Sequence, residues 1–251
     1  MLITNHAQAM TVLGDARYVP PPVRRDGGEG TLAWLRAQVS RFSSGETHAE
    51  RRRPLVERLA RLDPAELRAA ARTMTAERDG DWRGVPTAVL GAALGVPDTS
   101  AVPAAATGYL SGEESPQADA AVAVLLDVAD LPAITLLLQG HAAMEALIDT
   151  ALKHASPGDD VDALLHETLR QDPPLKATRR LDIRTGDEVT IDLVAVNRDP
   201  EVFAEPGRFD LARGRTPHLT FGAGLRPCPA PAHALALAAG VLEVLLREEH
   251  R

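Results

Sequence analysis

The hydrophobic and polar positions along the chain predict a succession of helices interrupted by one short region of strand. From Thr31, apolar residues at Leu32, Leu35, Val39 and Phe42 recur near a helical period. Leu55, Val56, Leu59 and Leu62 supply the buried stripe of a second helix. Asp63-Pro64-Ala65-Glu66 then reads as a cap, a proline in the first turn and a capping-box glutamate, so a third helix runs from Pro64 towards Thr75. Pro86 to Leu94 predicts a short helix stopped by Gly95 and Pro97, and Thr99 to Glu114 is weakly patterned and reads as connection. Ala118 to Leu138 is apolar round most of its circumference and predicts a central helix bent at Pro132. His141 to Lys153 predicts another helix, and Val161 to Arg170 a clearly amphipathic one. Past Pro173-Pro174 the period changes. Leu181-Asp182-Ile183 and Val189 to Leu193 alternate around Thr185-Gly186-Asp187, a hairpin signal. A last helix is predicted from Pro231 to Arg247. Met1 to Gly30, with three consecutive prolines and a glycine-rich break, reads as irregular. The expected architecture is one mainly α domain over residues 1–251 with a small β region and no internal repeat.

Composition narrows the class. A chain of 251 residues buries a full core, and a 45% hydrophobic content is that of a globular protein. With aromatics at 3%, the core must be built from Ala, Leu and Val. A formal charge of −8 argues against nucleic acid as a partner. Asp127, Asp130 and Pro132 within the most apolar stretch argue against a bilayer span. No cationic leader followed by an apolar run opens the chain, so the expected location is the cytoplasm.

The candidate chemistry centres on the only cysteine, Cys228, in Phe221-Gly222-Ala223-Gly224-Leu225-Arg226-Pro227-Cys228-Pro229-Ala230. Glycines let a backbone approach a flat cofactor closely, and a thiolate is a ligand that heme iron accepts. The same features also describe a buried cysteine beside an ordinary glycine turn. His48 and Arg52, four apart in a basic stretch, would share a helix face and suit an anion. They also fit a merely solvated charged face. Glu167 and Arg170, three apart, can pair along their helix.

In order along the chain, these segments resemble the cytochrome P-450 family of heme-thiolate monooxygenases, bacterial soluble type. The cysteine loop is similar to the family's F-G-x-G-x-[HR]-x-C-x-G, with Ala230 in place of the last glycine. Glu167 to Arg170 resembles its E-x-x-R helix, Pro206 to Phe209 its P-x-R-F turn, and Val196 to Pro200 its A-N-R-D-P segment. Arg41-Phe42-Ser43-Ser44 and Thr47 through Arg52 resemble its R-F-S-S and H-T-x-x-R segments. The resemblance implies a compact helical fold binding heme b, with Cys228 as axial thiolate and Phe221 and Gly222 in the cofactor loop. It places His48, Arg52, His218, Arg226 and one of Arg179 and Arg180 on the heme propionates. It makes Glu167, Arg170 and Arg208 a buried structural ion network.

The chain also departs from the family. It is markedly short, and the stretch from Thr99 to Gln117 replaces the helices that roof the family's substrate pocket. The family's central helix carries A-G-x-[DE]-T-T over the iron. Aligned at Ala129, this chain has Pro132 at the acid position and Ala133 at the alcohol position. In another register Asp130 would be the acid, and Thr135 is the nearby hydroxyl. The expectation is therefore a heme-thiolate oxidoreductase acting on a small-molecule, biosynthetic substrate through atypical oxygen or peroxide chemistry, with a redox partner. The alternative is a non-catalytic relative that stabilises or activates a partner enzyme.

Overall fold

The computed structural model describes residues 1–248. In chain order it contains β1 (Leu2–Ile3), α1 (His6–Gly14), β2 (Tyr18–Val19), α2 (Leu32–Gln38), α3 (Gly45–Leu59), α4 (Pro64–Glu77), α5 (Val85–Ala93), α6 (Val102–Tyr109), α7 (Pro116–Val128), α8 (Leu131–His154), α9 (Val161–Gln171), β3 (Ala177–Asp182), β4 (Glu188–Asp192), α10 (Leu193–Val196) and α11 (Pro231–Glu248). The chain folds into two compact units. One holds Met1–Pro21, Ala146–Pro231 and the chain from Leu242 onward; the other holds Pro22–Glu145 and Ala232–Val241.

The first unit carries the sheet, in the order β1-β4-β3-β2. β3 and β4 form the antiparallel hairpin that the alternation predicts, with Thr178 opposite Ile191. β2 adds antiparallel to β3, and β1 parallel to β4. The stretch expected to be irregular therefore holds two short strands and α1. Asn5 caps α1 by accepting from the Gln8 N–H at 3.0 Å, and Ala9, Val12 and Leu13 turn inward. Those residues join Ile3, Val189, Ile191, Leu193, Val196 and Leu219 in one buried cluster. Arg17 grips Asp182 with two guanidinium nitrogens at the sheet.

In the second unit α2, α6 and α7 pack together, and α4 packs on α5. α6 lies where connection was expected. Its Val102, Ala105 and Tyr109 are fully buried, which tertiary packing supplies and local pattern does not. The expected bent helix from Ala118 to Leu138 is instead two helices. Ala129 is extended at φ −150° and ψ 153°, and Asp130 Oδ1 accepts from the Ala133 N–H at 3.1 Å. Pro132 thus falls in the first turn of α8, where a missing N–H costs nothing. α8 then continues through Gly140 without interruption and absorbs the helix expected from His141. By length and composition α8 is apolar enough to cross a membrane, yet 56% of its most apolar window is buried inside the protein, as in a core helix.

Candidate functional site

The cysteine loop is shaped by its glycines and by α1. Gly222 and Gly224 have φ of +71° and +63°, a region that costs other residues strain. A Cβ on Gly224 would also stand 2.3 Å from the Leu13 carbonyl oxygen at the end of α1. The Leu225 N–H donates to that same carbonyl at 3.1 Å, so α1 holds the loop's far edge. The Gly222 N–H donates to the Leu219 carbonyl at 2.8 Å, and the Cys228 N–H to the Phe221 carbonyl at 2.7 Å. The loop thus folds back on itself and leaves Cys228 half-buried. The Ala230 N–H donates to Cys228 Sγ at 3.4 Å.

His218 stands at the entry to this loop, its ring 5.9 Å from that of Phe221. Its Nδ1 is buried without a hydrogen-bond partner. Burial pushes its pKa down to about 4, helped by His166 and Arg170, so the imidazole is neutral at pH 7. A buried ring nitrogen without a partner is what a missing ligand leaves behind. Among the described residues no group of three or more His, Cys, Asp or Glu is placed to hold a bare metal ion. A metal held by Cys228 must therefore bring its remaining ligands with it, as a macrocycle does. A cysteine sulfur beside a buried imidazole nitrogen without a partner is a donor set that fits heme, which brings an iron and carboxylates.

Beside this loop, Arg170 is fully buried and forms the centre of a polar cluster. Its Nε and Nη2 donate to the two Glu167 oxygens at 2.8 and 2.6 Å. Further bonds reach the carbonyls of Pro206 and Arg208, each at 2.9 Å, and Gln171 Oε1 at 2.8 Å. The Asp210 N–H completes Glu167 at 2.8 Å. Every lone pair so filled repays part of the cost of burying two charges. One expectation is corrected here. Arg208 gives the cluster its carbonyl only; its guanidinium points outward and pairs with Glu205 at 3.4 Å, with side chains 62% and 73% exposed. The second cation near Glu167 is Arg213, whose Nε lies 3.4 Å from Oε1. That contact is an ion pair without an aligned hydrogen bond. Arg213 also donates to the Glu205 carbonyl at 3.0 Å, which an E-x-x-R spacing could not foretell.

Arg179 and Arg180 follow one another on β3 and so face opposite sides. Arg179 is exposed and pairs with Glu188 at 3.5 Å, whereas Arg180 is half-buried and donates to Thr178 Oγ1 at 2.9 Å. His48 and Arg52 lie on α3, in the second unit. Asp130 is committed as the cap of α8 and as the partner of Arg58. Ala133 is buried in the first turn of α8, and Thr135 donates to the Leu131 carbonyl at 2.6 Å. The alignment at Ala129 falls on the break before α8, not on a continuous helix. His141 is buried with Nδ1 2.9 Å from Thr87 Oγ1.

Comparison with known proteins shows what this chain is similar to. The sequence model described as Cytochrome P450 matches residues 161–230. The chain is 35% identical over 247 residues to the Cytochrome P450 family protein EryCII of Saccharopolyspora erythraea, covering 84% of this chain and 65% of that protein. It is 32% identical over 116 residues to the Biotin biosynthesis cytochrome P450 of Bacillus subtilis, covering 38% of this chain and 29% of that one. In both cases the match spans less than two thirds of the relative. Crystal structures with the same fold include CalO2, at TM-score 0.80 and 18% identity over 98% of this chain and 82% of that one. Another is P450BioI in complex with an acyl carrier protein ligated to hexadec-9Z-enoic acid, at TM-score 0.77 and 20% identity over 98% and 84%.

Proposed function

We propose that this chain is a member of the cytochrome P450 family and a heme-thiolate oxidoreductase acting on a small biosynthetic molecule in the cytoplasm. The observation that carries the reading is the Cys228 loop, with a backbone amide donated to the sulfur and a buried, unpartnered His218 nitrogen beside it. Heme b, when bound, supplies a redox-active iron. Cys228 would hold that iron as thiolate, and the Ala230 amide would spread the sulfur's charge. His218 and Arg226 would donate to the propionates. A neutral His218 donates as a hydrogen-bonding group, and gains a proton when a carboxylate arrives. The family resemblance gives His48 and Arg52 the same task, and Arg180, half-buried, is the better placed of the two β3 arginines. With Pro132 and Ala133 at the positions that the family resemblance gives to the acid and the alcohol, protons would come from substrate or solvent, which is why the proposed chemistry is atypical oxygen or peroxide chemistry. A redox partner belongs to the same proposal.

The test is spectroscopic. Purified protein, reduced under carbon monoxide, is expected to show the red-shifted band of a thiolate-ligated heme, and Cys228→Ala is expected to lose it. Failure to take up heme, or an unchanged spectrum in Cys228→Ala, overturns the reading.

Pro132 and Ala133 at the acid and alcohol positions favour a second reading, a non-catalytic relative that stabilises or activates a partner enzyme. It requires a stable complex with that enzyme, whose activity survives Cys228→Ala. Loss of the partner's activity in that variant excludes it.

A further inference from the structure

The Asn197-Arg198-Asp199 segment has no part in the reading above, yet each of its side chains holds backbone in the first unit. Leu169 lies in the last turn of α9, and Pro173 stands where the next N–H for its carbonyl would be. That carbonyl therefore has no donor in its own helix. Asn197, 0% exposed, supplies one, since its Nδ2 donates to the Leu169 carbonyl at 3.3 Å. The same Nδ2 donates to Thr220 Oγ1 at 2.8 Å, and Thr220 Oγ1 donates to the Leu169 carbonyl at 2.6 Å. Asn197 Oδ1 accepts from the Leu219 N–H at 2.7 Å, which fixes the orientation of the amide. Arg198 Nε donates to the Gln171 carbonyl at 2.9 Å, again at the end of α9. Asp199 Oδ2 accepts from the His6 N–H at 2.7 Å, the first of α1.

These contacts lead to the cysteine loop. The Leu219 carbonyl accepts from Gly222 and the Phe221 carbonyl from Cys228, while the end of α1 accepts from Leu225. Thr220 sits between Leu219 and Phe221. The loop is thus hung at its entry on Asn197 and Thr220, and at its far edge on a helix whose start Asp199 holds. A buried polar network with its groups satisfied specifies one geometry. We propose that Asn197 and Thr220 are positioning residues for the Cys228 sulfur. They set where Phe221 begins the loop and, through the Phe221 carbonyl, where the Cys228 backbone lies. The proposal rests on the heme-thiolate reading only in saying what that sulfur is for.

The test is the rate at which iodoacetamide alkylates the full chain without heme, followed by mass spectrometry well below the melting point. Cys228 is the only cysteine, so the label reports it alone. Thr220→Val removes the hydroxyl and should speed alkylation about threefold or more, the effect of losing one net hydrogen bond from the closed loop. Asn197→Ala should act in the same direction, and Thr220→Val decides the matter if that variant does not fold. Thr220→Ser keeps the hydroxyl and should stay within about twofold of wild type. Leu147→Ala, a buried truncation on α8 outside these contacts, controls for general loss of stability and should also stay within about twofold. In heme-loaded protein reduced under carbon monoxide, Thr220→Val should move part of the red-shifted band to the unshifted position, and Leu147→Ala should not. A wild-type rate or a wild-type band in Thr220→Val overturns the proposal. So does equal acceleration in Leu147→Ala, or a Thr220→Ser that behaves like Thr220→Val. Protein that never takes up heme removes the heme-thiolate reading alone, because the alkylation rates still decide this one.

Discussion

Truncating Arg170 to alanine tests how the cysteine loop is supported. The change removes the fork that fills both oxygens of Glu167, itself only 2% exposed. It also leaves the Pro206 and Arg208 carbonyls without their donor. Breaking a buried pair from one side costs about 3–5 kcal/mol. For a chain of this size each kcal/mol lowers the melting point by about 2–4 °C, so a fall of roughly 6–20 °C is expected. Arg213→Ala removes a contact at 3.4 Å with no aligned hydrogen bond from a side chain that is 13% exposed, and should cost about 1–2 kcal/mol. Arg208→Ala removes only an exposed pair with Glu205 and should cost less than about 1 kcal/mol. Thermal and urea unfolding followed by circular dichroism on the three variants gives the ranking Arg170, Arg213, Arg208. If Arg208→Ala cost as much as Arg213→Ala, or if Arg170→Ala cost under about 1 kcal/mol, the assignment of Arg213 as the second cation would be wrong.

The sheet should be sensitive to acid through Asp182. Its hydrogen bonds from Arg17 push its pKa from 3.8 down to about 2, so its stabilisation is complete above 3.8 and is lost as pH falls towards 2. Acid titration of Asp182→Asn should lack that step, and an identical profile would contradict it. Asp130→Ala should lose the cap of α8 and the pair with Arg58, about 1–2 kcal/mol together, while Asp130→Asn should keep most of the cap. Thermal unfolding that does not separate the two variants would argue against the cap. In heme-free protein the His218 resonance should titrate near pH 4 and move upward once heme is loaded. Because burial depresses this pKa below the ordinary 6.5, the neutral ring removes stability as pH falls from 6.5 towards 4. An ordinary His218 titration in the heme-free protein would show that the ring is solvated.

The sequence alone determined the elements whose causes are local. Asp63-Pro64-Ala65-Glu66 sets the start of α4, because cap, proline and glutamate act within one turn. Alternation around Gly186 sets the β3–β4 hairpin, and the spacing of Glu167 and Arg170 allows them to meet on α9. The break before α8 was also local: Asp130-Leu131-Pro132 is a cap followed by a first-turn proline, hidden by the apolar residues on either side. Tertiary structure decided the rest. Which arginine reaches Glu167 depends on where the chain turns after Pro206, and no spacing rule connects Arg213 to α9. α1 forms because its apolar side packs on β4 and on the loop entry, and α6 because Tyr109 is buried against Phe42. An isolated eight- or nine-residue helix is marginal in water, so α6 and α1 take their stability from partners distant in the chain. The same packing left the His218 nitrogen buried and unpartnered, a property of the assembled interior that no linear pattern encodes.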